Sequence, residues 1–147
     1  MNSRKQRGVA AVEFAIVAPL LFVLLFGIIE FSVVLFDQAT ITNASREGAR
    51  AGIVYRFDVN TDQVTPLDNA GIETIVNNYA GGYLKSLGGA SSLTTIIIRE
   101  GTNAGDDLTV TVNYTYTFLV LRPLMGLLGG ILPDAINLSA TSVMRME

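Results

Sequence analysis

Glu13 is the residue of this chain whose type and place most invite chemistry. The glutamate stands only a few residues inside the run RGVAAVEFAIVAPLLFVLLFGIIEF, which is otherwise apolar enough for a membrane. A carboxylate near the centre of a spanning helix costs roughly 2.5–3.5 kcal/mol, so such a group persists where it has a task or an escape route. Two routes are open to Glu13. It can snorkel toward the basic cluster Arg4, Lys5 and Arg7, or it can gain a cationic partner in a low dielectric, where such a pair is strong. Other chemistry is scarce. The absence of Cys and His removes thiol nucleophiles, imidazole bases, Ser-His-Asp triads, the usual zinc sites and disulfides. Asp58, Asp62 and Asp68 lie close in sequence but read as loop and cap residues with nothing poised around them. The turn EGTNAGDD, with Glu100, Asn103, Asp106 and Asp107, has the oxygen ligands calcium prefers. Gly, Asn and Asp are also ordinary turn formers, and the expectation is no catalytic residue, no metal and no cofactor.

The elements that must position Glu13 follow from composition. A chain of 147 residues has room for one domain and an appendage. Half of it is hydrophobic and only 16% is charged, with a mean hydropathy of +0.44, a balance that one membrane segment would produce. A net charge of -3 without a long basic run lacks the electrostatic footprint of a nucleic-acid binder. Nothing points to a small-molecule substrate either.

From Phe14 to Ile29 there is no charge, and with Glu13 and Glu30 tolerated at the edges the apolar character extends from Val9 to Phe36. A span of about 30 Å needs about 20 helical residues. Arg4, Lys5 and Arg7 precede the run, whereas Asp37 follows it and Glu47 offsets Arg46 and Arg50. The positive-inside rule then leaves the N-terminus cytoplasmic and the bulk of the chain outside. A secretory signal peptide fits poorly, because the run is long and no convincing cleavage site follows. Pro19 is tolerable in a spanning helix, with a kink or loosening expected where the Ala15 carbonyl is freed. Beyond the run, Ile41, Ala44, Gly48, Ala51 and Tyr55 recur at helical spacing. Ala44, Gly48 and Gly52 form a small-residue face that lets another helix approach closely, either in the protein's own head or in another subunit.

The remainder reads as a small head. Thr65, Pro66 and Asp68 form a helix-start pattern for a helix over 66–86, loosened at Gly81 and Gly82. Leu108, Val110, Val112, Tyr114, Tyr116 and Phe118 alternate with polar residues, the signature of a strand with one buried face. Residues 94–99 supply its hairpin partner, and Ile136, Leu138, Ala140 and Met144 mark a last strand. The expected fold class is α+β: a long N-terminal helix, transmembrane and then extended, followed by a head with a short helix and a roughly three-stranded antiparallel sheet. The Leu/Gly-rich stretch 119–133 is either core or an exposed patch for a subunit or the membrane surface.

Gly8 through Glu13, behind a short basic leader and ahead of an apolar helix, resembles a type IV prepilin processing site. The resemblance implies that a membrane aspartyl peptidase cuts between Gly8 and Val9 and that Glu13 pairs with the new α-amino group of a neighbouring subunit. The run from Arg7 to Phe31, the NASREGARAG segment at 43–52 and the closing portion from Leu108 are similar to the TadE-like family of minor pilins, or pseudopilins, of the tight adherence (Tad, or Flp) pilus system. The sibling TadF family has a similar N-terminus. The resemblance implies a non-enzymatic component for assembling pili in surface attachment and biofilm formation. Its implied partners are the bacterial inner membrane, a prepilin peptidase, other pilin and minor pilin subunits and the Tad assembly platform. The implied segments are a leader over 1–8, a transmembrane and extended helix over 9–57 and an extracytoplasmic head over 58–147. The alternative is an uncleaved single-pass envelope protein with a partner-binding head.

Overall fold

The computed structural model describes residues 3–58, 62–89, 91–127, 129 and 133–146. Its first element, α1, runs unbroken from Ser3 to Ile53, about 77 Å at 1.5 Å per residue. Leu, Ala, Ile and Val dominate it, and the helix passes through Pro19. Its hydroxyl residues do not compete with the backbone ladder. Ser32 Oγ donates to the Ile28 carbonyl at 2.7 Å, Thr40 Oγ1 to Phe36 at 2.9 Å and Thr42 Oγ1 to Gln38 at 2.7 Å, the back-bonding by which a helix absorbs a hydroxyl.

After α1 come β1 (Tyr55–Asp58), β2 (Gln63–Pro66), α2 (Asn69–Ala80), β3 (Ser92–Arg99), β4 (Asp107–Thr117), α3 (Leu121–Leu127) and β5 (Ala135–Arg145). β4 is the centre of an antiparallel sheet of order β3-β4-β5, with Val112 opposite Thr95 on one side and Ala140 on the other. Its alternation places Leu108, Val110, Val112, Tyr114 and Tyr116 in the core. The threonines face out, where Thr111 and Thr141 share a 2.9 Å hydroxyl contact. α1 and α2 cover the inner face, α2 through Ile72, Val76 and Ala80. Tyr116 and Phe118 add an edge-to-face ring pair at 5.5 Å. The fold is α+β, a long apolar helix carrying a small head.

Two local expectations change. The helix pattern does not continue to Tyr55 and residue 57. α1 ends at Ile53, and the β-favouring sequence YRFD pairs as β1 with β2, Tyr55 opposite Pro66 and Phe57 opposite Val64. The Tyr55 hydroxyl instead donates to the Thr102 carbonyl at 2.6 Å. Nor does the short helix begin at Thr65 and Pro66, because Pro66 closes β2, a strand end being a place where its missing N–H does no harm. Asp68 is the cap, its carboxylate accepting from Gly71 N at 2.9 Å. The helix stops at Ala80, before the Gly81-Gly82 pair, and not at 86.

Candidate functional site

The upper half of α1 is a ruler for the head. Gly27, Glu30, Val34, Asp37, Ile41, Ala44 and Gly48 alternate at spacings of three and four, so they form one stripe on a helix. All are buried. A Cβ on Gly48 would lie 2.6 Å from Val76 Cγ2, and one on Gly52 would lie 2.5 Å from both Ile72 Cδ1 and Leu108 Cδ2. These glycines let α2 and β4 close onto the helix backbone. The face formed by Ala44, Gly48 and Gly52 is therefore occupied by the chain's own head in this structure. At the stripe's lower end, Gly27 approaches Leu121: a Cβ there would be 3.5 Å from Leu121 Cδ2.

Two carboxylates lie on the same stripe. Glu30 is 1% exposed and accepts from the backbone N–H groups of Leu119, Val120 and Leu121, the last at 2.8 Å. Those donors lead into α3, where a helix start has no internal acceptors. A carboxylate taking such bonds satisfies them strongly. Asp37 is fully buried, with Oδ1 accepting from Lys85 N at 3.1 Å. Burial pushes its carboxyl above the ordinary aspartate value, against the lowering effect of the Lys85 backbone bond and charge. Both charges face the core tyrosines. The Tyr116 hydroxyl is pushed up to about 12, by burial first and then by Glu30 and Asp37, and burial raises Tyr114 as well. Sequence reasoning missed this pair of clamps by treating Glu30 and Asp37 as edges of an apolar run. Their seven-residue separation, in register with Ala44, was the available signal.

Among the described residues nothing covers the lower half of α1 in this way. Phe14, Ile16, Leu20, Leu21 and Leu24 are exposed, and nothing lies within 4 Å of a Cβ placed on Gly8. Gly8, Val9, Val12 and Glu13 line a shallow apolar recess on the bare helix. Among the described residues no cation lies within ion-pair distance of Glu13, and the side chains of Arg4, Lys5 and Arg7 lie outside the described residues. The segment from Gly8 onward is long and apolar enough to cross a membrane. Its uncovered part, Val9–Phe26, spans roughly 27 Å, close to a hydrocarbon core of about 30 Å.

The remaining acids serve local structure. Asp106 Oδ2 accepts from Asn103 N at 2.8 Å, and Asp107 pairs with Arg145 at 3.1 Å, so both close the β3–β4 and β4–β5 ends of the sheet. Asp62 sits in the β1–β2 turn with a φ of 54°, a left-handed conformation that Asp tolerates better than most.

The family model described as TadE-like protein matches residues 8–50. The match starts at Gly8, covers the bare half of the helix and runs up the stripe that holds the head. No curated protein and no solved structure gives a match. The match to the TadE-like family model thus lies within the long helix.

Proposed function

We propose that this chain is a minor pilin, or pseudopilin, needed for assembly of a Tad pilus used in surface attachment. One observation carries the reading: the match to the TadE-like family model begins at Gly8 and runs to residue 50, taking in the lower helix half that the described part of the head leaves bare. In this reading the helix sits in the bacterial inner membrane with the N-terminus cytoplasmic and the head outside. A prepilin peptidase hydrolyses the Gly8–Val9 bond, removing residues 1–8 and leaving an ammonium on Val9. Glu13, one helical turn further on, then offers its carboxylate to the ammonium of a neighbouring subunit, and the exposed Val, Leu and Phe side chains exchange lipid for neighbouring helices. The chain acts by assembly and not by catalysis.

The test is the intact mass and N-terminal sequence of the membrane-extracted protein from hosts with and without the peptidase. A chain beginning at Val9 only with the peptidase, and a Gly8→Ala variant that stays uncut, are the expected results. A chain that begins at Met1 in both hosts overturns the processing step and leaves an uncleaved, single-pass anchor with a binding head.

A further inference from the structure

We propose that Leu119, Val120 and α3 form a foot that rests in the outer leaflet of the membrane, at the boundary between headgroups and acyl chains. The proposal builds on the reading of Val9–Phe26 as the membrane span and adds a second, separate membrane contact made by the head. Depth is the first argument. The Glu30 carboxylate holds the N–H groups of Leu119, Val120 and Leu121, and Leu121 packs on Gly27, so the foot lies beside residues 27–30 of α1. Those residues follow directly on the bare span of roughly 27 Å and fall where a hydrocarbon core of about 30 Å gives way to headgroups.

Backbone satisfaction is the second argument. Irregular chain at membrane depth is tolerated only when its polar groups are bonded inside the protein. Here the N–H groups of Leu119 and Val120 and that of Leu121 at the start of α3 end on Glu30, Phe118 N donates to the Asp134 carbonyl at 3.3 Å and Leu124 N to the Val120 carbonyl at 3.2 Å. The third argument is side-chain chemistry. Leu121 turns into the core, whereas Leu119 is 53% exposed and Pro123 is exposed beside it. Arg122, the cation of this segment, reaches Asp134, and a long basic side chain beside exposed apolar residues is the usual composition of an interfacial element. The other end of the head has no such relation to the membrane. Arg99 bonds the Gly52 carbonyl, which lies about 33 Å further up α1 than Glu30.

The absence of cysteine makes the test direct. Leu119→Cys, Phe22→Cys and Ile98→Cys variants of the full chain, all at exposed side chains, would each carry one environment-sensitive fluorophore. They would be reconstituted into phosphatidylethanolamine–phosphatidylglycerol vesicles containing nitroxide lipids. The foot predicts loss of emission at position 119 with nitroxides high on the acyl chain, greater than with deep ones. It also predicts loss at position 22 with deep nitroxides and little loss at position 98. Quenching at 22 together with a response at 119 no greater than at 98 overturns the foot and leaves the span standing. No quenching at 22 removes the span itself, and the foot with it.

Discussion

The two halves of α1 are one helix with opposite rules of burial. Below Gly27 the most apolar side chains are the most exposed, Ile16 at 72% and Phe14 at 70%. Above it the buried face admits two carboxylates, Glu30 and Asp37, among Val34, Ile41 and Ala44. Burial therefore follows what stands opposite the helix and not the polarity of the residue. The head offers backbone donors to both oxygens of Glu30 and to Oδ1 of Asp37, and a buried carboxylate persists where it is bonded. Among the described residues the lower half faces nothing of its own chain, and an exposed apolar surface of this extent marks a surface meant for lipid or other helices.

The contrast is broken most severely at Glu30. Glu30→Ala leaves three backbone donors, that of buried Leu121 among them, without an acceptor and should destabilise the head by about 3 kcal/mol, read by urea unfolding in detergent with the tyrosine near-ultraviolet signal. Glu30→Gln keeps one acceptor oxygen and should lose less. Wild-type stability in Glu30→Ala would mean the clamp does not hold the head. Next comes Gly48→Val. Its side chain must displace Val76, whose branched Cβ has few alternative rotamers, and overpacking of this kind costs about 1–3 kcal/mol. An unchanged midpoint would show that α2 can retreat from the helix.

Alkali probes the same wall more gently. Tyr116 is held near 12 in the fold against about 10 in an unfolded chain. Between those values the unfolded state holds fewer protons, so stability is fully present below about pH 10 and falls as the pH rises toward 12. Tyr116→Phe should flatten that decline. Asp37 gives a smaller effect on the acid side. Its carboxyl is raised by burial, so the folded state binds the proton more tightly, and this group adds stability as the pH falls through its folded titration range. Asp37→Asn should lack that increment. Smallest of all is Leu20→Ala in the bare half, expected to shift head stability by no more than about 0.5 kcal/mol. A larger loss would mean the lower helix contacts the head after all.

Much of this was written in local pattern. The two-residue alternation from Leu108 to Phe118 gave a strand with the expected buried face, and residues 94–99 and 136–144 gave its neighbours. The short helix shifted because Pro66 and Asp68 carry the same turn signals whether the segment before them is a cap or a strand end. The β1–β2 hairpin stayed hidden for a related reason: four residues per strand are too few to establish a period, and Tyr55 happened to extend a helical one. The candidate processing residues Gly8, Val9 and Glu13 were visible because their signal is a linear motif, and the fold adds only their exposure.

The apolar helix and the alternating strands were legible in the sequence alone, because each depends on neighbours a few residues apart. Only the tertiary structure decided that Ala44, Gly48 and Gly52 are taken up by the chain's own head, and that Glu30 reaches across 91 residues to Leu121. The partner of a buried carboxylate is set by how distant segments pack, and no local spacing in the chain records it.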